Sequence, residues 1–170
     1  MNKQGMDQMW DQFRQRYGIY VRLVEAFPEP QYHTHPVPGI RTFAEQVAHT
    51  SGTLVRDIAR GIAKGSITPE EGDEPKTAAA LTNKAAMMAF VKQCWDQANA
   101  AVATIGDAQL SAMVTTPWHM TFPGFVGFGI MSDEFLHHRG QLAVYARLCG
   151  AEPPFIWGFG DNAPEFRPKT

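Results

Sequence analysis

Proline and glycine are concentrated in four clusters, which divide the chain into segments too long for strands. The clusters lie at residues 28–39, 65–75, 117–129 and 150–168. Proline removes a backbone donor and clashes with the preceding helical turn, and glycine commonly ends a helix, so each cluster is expected to interrupt regular structure. The intervening segments show no competing two-residue alternation of apolar and polar positions. The sequence therefore predicts an all-α chain.

Four helices are expected in these segments, because apolar residues recur within each at steps of three and four. The predicted ranges are about 6–27, 42–65, 76–105 and 125–149. Thr42 followed by Glu45 has the spacing of a capping box, which supports a helix start at that point. Connections of about 10–20 residues leave room for crossovers. The pattern predicts a four-helix bundle with long connecting loops.

Length and charge exclude several classes of protein. The chain has 170 residues, 44% of them hydrophobic, which suits a single domain over 1–170, with 151–170 as an irregular C-terminal tail. The 15 Lys and Arg against 17 Asp and Glu leave a net charge of −2, too little positive charge for a nucleic-acid binder. Without a long apolar run, a secretory signal or more than two cysteines, the expectation is a cytoplasmic protein with no membrane partner.

The fourth predicted helix carries an unusual pair, Glu134 and His138. At 100° per residue both lie within about 50° of the centre of an apolar face. That face is formed by Met131, Phe135, Leu142, Tyr145 and Cys149. A glutamate there is costly unless it is paired, protonated or bound to a cation, and residues four apart can converge on one ion. The alternatives are a metal site and an internal salt bridge between the two side chains.

The second helix repeats this spacing with Glu45 and His49, but on a different face. His49 lies on a polar flank beside Gln46, Thr53 and Arg56. That flank is either solvated or borders a polar pocket between helices, and periodicity leaves both alternatives open. The acidic residues of the turn 69–75 are expected to be solvated.

The remaining histidines are weaker candidates. His137 lies about 100° from His138 on the wheel, as expected of a surface or helix-packing side chain, with a supporting role beside the metal ligands as the alternative. His33 and His35 fall in a proline-rich loop and are expected at the surface. His119 and Trp118 precede the fourth helix, where they are candidates for the mouth of a pocket. Both cysteines are expected to be unreactive core thiols.

Two segments of the sequence resemble a known superfamily. Residues 133–154 contain His-His-Arg-Gly-Gln-Leu, then an arginine, a glycine and Pro-Pro, and this resembles the fourth-helix signature of the DinB/YfiT-like superfamily. Residues 42–49 are similar to its second helix, and helix number and order agree over essentially the whole chain. The resemblance implies an unusual four-helix bundle that holds a divalent metal through three protein ligands.

The matching ligand positions in this chain are His49, Glu134 and His138. Most members with this signature have histidine at the position of Glu134. The mycothiol-dependent maleylpyruvate isomerase branch, however, has what looks like a zinc site of His, Glu and His at the corresponding positions. The resemblance thus implies zinc, with nickel, iron or manganese as alternatives. Gln141, near Glu134 on the wheel, is expected to orient a ligand by a hydrogen bond without contacting the metal.

Three protein ligands leave a coordination position open, as in catalytic metal sites. The resemblance implies a metal-dependent enzyme similar to low-molecular-weight-thiol-dependent transferases and isomerases, acting on a small molecule and forming a homodimer. The alternatives are a non-catalytic metal- or ligand-binding bundle, connected with stress, and a metal-dependent hydrolase. The residues single out no catalytic acid, base or nucleophile.

Overall fold

The computed structural model describes residues 1–68 and 74–155. The fold is an all-α helical bundle with a small two-stranded sheet. Its α-helices are α1 Lys3–Ala26, α2 Phe43–Val47, α3 Ile58–Lys64, α4 Glu74–Ala80, α5 Lys84–Ala103, α6 Asp107–Ser111 and α7 Gly124–Leu148. A π-helix over Ala48–Asp57 joins α2 to α3, and a 3₁₀ turn covers Glu29–Gln31. The strands are β1 Met113–Thr115 and β2 Thr121–Pro123.

Aromatic side chains form the centre of the bundle, where α1, α5 and α7 meet. The ring of Tyr17 stacks on Trp95 with centroids 4.3 Å apart, and Phe13 lies 4.7 Å from Phe135. Such rings bury large apolar areas, so they contribute much of the stabilisation of the core. Among the described residues no helix is both long and apolar enough to cross a membrane.

The first and fourth predicted helices agree with α1 and α7 to within a few residues. The third, predicted as one helix over 76–105, is instead divided into α4 and α5. The side chain of Asn83 caps the start of α5 by accepting from the backbone N–H of Ala86 at 2.9 Å. The periodicity missed this break because Leu81, in the gap, is buried like a helical core residue.

The second predicted helix is continuous from residue 43 to 64, with the expected capping box at Thr42 and Glu45 and a left-handed Gly65 at its end. Its middle is π-helical, which was not expected. In a π-helix each residue turns through less than the 100° of an α-helix, so a uniform helical wheel loses register along the segment. Within the π-helix the polar side chains of Thr50, Ser51, Arg56 and Asp57 are buried, and Gln46 is buried just before it in α2.

A short hairpin occupies the loop before α7. β1 and β2 pair antiparallel, with Met113 opposite Pro123, and Ser66 forms a parallel bridge to Thr115. The strands are three residues long, too short for an alternating pattern to be recognised in the sequence. The predicted irregular tail lies outside the described residues from 156 onward, and residues 151–155 contain no helix or strand.

The close contact between α3 and the segment after it predicts a strong effect of one methyl group. A Cβ at Gly61 would lie 2.4 Å from Cγ1 and 2.7 Å from the backbone Cα of Ile67. We expect Gly61→Ala to lower the free energy of unfolding by about 2 kcal/mol in urea denaturation followed by circular dichroism.

Gly18→Ala is the matched control, because a Cβ on that α1 residue meets no atom within 4 Å. It should leave stability unchanged or raise it by up to about 1 kcal/mol, since alanine favours helix. Equal effects of the two substitutions would contradict the packing that the structure shows at Gly61.

Candidate metal centre

His138 lies on the inner face of α7 and is held by two glutamine side chains. Its Nδ1 lies 2.8 Å from Oε1 of Gln141, and Nε2 of Gln46 is close to the same nitrogen. Gln46 Nε2 also donates to Oε1 of Gln141 at 2.5 Å. The amide nitrogen of Gln46 can only donate and Oε1 of Gln141 can only accept, so Nδ1 of His138 has a hydrogen-bond partner in either tautomer, and neither glutamine contacts its Nε2. Burial lowers the pKa of His138, which favours the neutral ring.

His49 is the second residue of the π-helix and faces the interior of the bundle. Its side chain is 17% exposed, and its ring centroid lies 4.8 Å from that of His138 at an interplanar angle of 78°. Nδ1 of His49 donates to Oε1 of Glu74 at 2.6 Å. In the part of the chain that the structure describes, no protein group hydrogen-bonds to its Nε2. Of the two alternatives for this flank, the structure favours the polar pocket between helices.

Glu134 lies one turn before His138 on α7, at the edge of the two facing histidines His49 and His138. Its Oε2 is 3.6 Å from Nε2 of His138, within range of an ion pair but beyond a hydrogen bond. Half of its side chain is exposed, whereas the helical wheel suggested the buried face. An offset of about 50° places Cα at the rim of that face, from where a glutamate side chain reaches water.

The three predicted ligands therefore lie near one another without forming a closed cluster. Within residues 1–68 and 74–155, no three His, Cys, Asp or Glu side chains are arranged so that they could hold a metal ion. His49 and His138 face each other, and the half-exposed carboxylate of Glu134 is the group that would have to turn to complete a site.

Glu74 is the residue next to this pair that sequence reasoning missed. The acidic turn was expected to be solvated, but Glu74 begins α4 and accepts from both His49 and Oγ1 of Thr53 at 2.6 Å. Its Oε2 also lies 3.5 Å from Nη2 of Arg41. No spacing signal could have found it, because 25 residues separate it from His49. The rest of that turn, residues 69–73, lies outside the described residues.

The electrostatics of Glu74 favour its ionised form. Burial by itself would raise its pKa, but the hydrogen bonds from His49 and Thr53 and the nearby positive charge of Arg41 outweigh burial. Together they lower the pKa of Glu74 to about 2. Glu74 is therefore a carboxylate at neutral pH, able to accept the Nδ1 proton of His49.

Two of the predicted supporting residues adjoin His138. Gln141 contacts it directly, and Nε2 of Gln141 donates to Nε2 of His137 at 2.9 Å. The ring of His137 is exposed and lies 5.1 Å from that of His138.

The other predicted pocket residues lie elsewhere. Trp118 and His119 are exposed in the turn of the hairpin. The hairpin joins α7 at Gly124, about 21 Å of helix from His138. His33 and His35 are exposed in their loop and contact the backbone carbonyls of Leu81 and Ile40.

Known structures share this fold at low sequence identity. A DinB-like protein from Bacillus subtilis is 21% identical, with a TM-score of 0.71 over 88% of this chain and 96% of its own. A DinB-like protein from Bacillus cereus ATCC 10987 is 16% identical, with a TM-score of 0.72 over 91% and 99%. The mycothiol-dependent maleylpyruvate isomerase is 16% identical, with a TM-score of 0.54, and this chain covers 62% of it. No curated protein matches the sequence significantly.

A family-level match agrees with these structures. The sequence profile of the DinB superfamily matches residues 12–142, which include the π-helical segment and α7 as far as Leu142. The match extends over more than half of the chain and contains His49, Glu134 and His138. The chain belongs to the DinB superfamily.

Proposed function

We propose that this protein is a metal-dependent enzyme in which His49, Glu134 and His138 bind a divalent transition metal, zinc foremost. The observation that carries the proposal is the pairing of two imidazoles from separate helical segments, 4.8 Å apart between centroids. Side chains engage Nδ1 of each ring, Glu74 at His49 and two glutamines at His138, so each Nε2 is left for a metal. Ligating histidines in proteins are typically held in this way by an outer partner.

The donor set suits such a metal. Two imidazole nitrogens and one carboxylate are ligands that zinc, nickel, iron and manganese accept. Burial keeps the ring of His138 neutral at neutral pH, so that its lone pair is available. Because half of the Glu134 side chain is exposed, its carboxylate can turn toward Nε2 of His138 without leaving a buried cavity.

Three protein ligands leave a position for a small molecule, as catalytic sites do. A divalent metal bound there lowers the pKa of a coordinated water or thiol and so supplies an anionic nucleophile. The exposure of Glu134 supports a substrate approach from the side of this residue. The exposed ring of His137 lies 5.1 Å from that of His138, next to this approach.

The structural similarity to the mycothiol-dependent maleylpyruvate isomerase supports transfer or isomerisation with a low-molecular-weight thiol as partner. That enzyme shares the fold at 16% identity. Use of a thiol by this chain is therefore proposed from the shared fold. The same proposal includes a cytoplasmic homodimer that acts on a small molecule and contacts neither nucleic acid nor membrane.

Metal content tests the ligand set. Untagged wild-type protein purified without added metal should contain about one transition-metal ion per chain by plasma mass spectrometry, since three protein ligands suffice for a catalytic zinc site. His49→Ala, His138→Ala and Glu134→Ala should each lose most of it. His119→Ala is the control, because this exposed imidazole lies in the hairpin turn and should keep full metal content.

The stability of metal-free protein shows how much the ion pair at Glu134 contributes by itself. Since its side chain is half exposed, Glu134→Ala should change the unfolding free energy of metal-free protein by no more than about 0.5 kcal/mol. The proposal is wrong if the ligand substitutions leave the metal content unchanged. It is also wrong if wild-type protein stays far below one metal ion per chain after zinc is added.

Turnover distinguishes an enzyme from a binding module. Zinc-loaded protein assayed with a panel of low-molecular-weight thiols and electrophiles should form thioether or isomerised product, and this activity should be absent from His138→Ala. Ester hydrolysis without thiol would favour the hydrolase instead. Zinc-dependent thermal stability without turnover of any of these substrates would identify a non-catalytic metal-binding bundle.

A further inference from the structure

Glu74 reaches the pair of histidines from a helix that contributes no ligand to the proposed site. α4 packs against α2 and the π-helical segment, and Glu74 is its first residue. Its Oε1 accepts from both His49 and Thr53 at 2.6 Å, whereas its Oε2 lies 3.5 Å from Nη2 of Arg41. The carboxylate is thus directed mainly at the π-helix rather than at the guanidinium.

A simple ion pair does not explain this arrangement. The side chain of Arg41 is 43% exposed, and exposed ion pairs contribute little to stability. The short hydrogen bond to His49 is charge-assisted and lies where the side chain of His49 is only 17% exposed. The contact with the most consequence is therefore the one between Glu74 and His49.

We propose that Glu74 is a positioning residue that holds His49 in the Nδ1–H tautomer and turns its Nε2 toward His138. A carboxylate can only accept, so His49 donates from Nδ1, and the neutral ring then has its lone pair on Nε2. An ionised partner also makes the ring a stronger donor to a metal. The proposal rests on the metal site proposed above, and it adds α4 as the element that orients one of its ligands.

His49 and His138 differ in the groups that their Nδ1 atoms contact. Nδ1 of His138 contacts only neutral amides, those of Gln46 and of Gln141, which lies three residues away on the same helix. His49 donates to a charged group 25 residues away, from a separate helix. Docking of α4 on the bundle and the geometry of His49 are consequently coupled, so metal binding should also stabilise α4 in its docked position.

Zinc affinity tests the assignment. Competition with a chromophoric chelator should show affinity lowered by about 10- to 100-fold in Glu74→Ala, the usual effect of losing an outer partner. Glu74→Gln, which keeps an acceptor oxygen but not the charge, should fall between that variant and wild type. Arg41→Gln is the control for the ion pair and should stay within about twofold of wild type.

The tautomer of His49 gives a readout that needs no metal. Long-range proton–nitrogen correlation spectra of metal-free wild type should show Nδ1–H, and Glu74→Ala should shift His49 toward Nε2–H. Gln141→Ala should leave the His49 tautomer unchanged. Amide exchange in α4 should slow when zinc is added to wild type but not to His49→Ala.

The possible failures are distinguishable. Wild-type protein that binds no zinc overturns the proposed function and the role of Glu74 in affinity, while the metal-free spectra still decide whether Glu74 sets the tautomer. Zinc binding by wild type, with affinity and tautomer both unchanged in Glu74→Ala, overturns the role of Glu74 alone. An effect of Arg41→Gln equal to that of Glu74→Ala also overturns it, since the ion pair would then be the important contact.

Discussion

The contact between the π-helical segment and α7 is the constraint on which the candidate site depends. Polar side chains are buried there, which is tolerable only because they are partnered. Just before the π-helix, Gln46 of α2 donates to Gln141 of α7, whose Oε1 also lies 2.8 Å from Nδ1 of His138. The same contact brings the ring of His49 to 4.8 Å from that of His138. Two imidazoles from distant parts of the chain are thus placed face to edge inside a helical bundle.

The irregularity of the second helix has a local consequence for this site. A regular α-helix would present one continuous apolar stripe to the bundle, as the sequence pattern suggested. The π-helical turns rotate the downstream residues relative to that stripe, so that Arg56 and Asp57 can both be buried, with 2.7 Å between Nε and Oδ1. π-Helical turns are rare and occur often at functional sites. Here one contains His49.

Much of the fold could be predicted, because helix starts and stops are local properties. Thr42 with Glu45 forms the predicted capping box, and Gly65 ends the same helical run. Other features could not be predicted. The gap at Leu81 preserves the apolar periodicity, and the partner of His49 at position 74 depends on how α4 docks. Whether the side chain of Glu134 is buried or exposed could not be predicted, because its position on the helical wheel is near the edge of the buried face.

The sequence alone determined the all-α class, the long helices at either end of the chain and the resemblance that selects His49, Glu134 and His138. These follow from proline and glycine placement, apolar periodicity and a specific motif, all of which are properties of neighbouring residues. Only the tertiary structure decided that the polar flank of the second helix faces inward and that Glu74 supports His49. The reason is physical: whether a polar side chain on a helix is buried or solvated depends on which other segments pack against it, and sequence spacing does not show which segments meet.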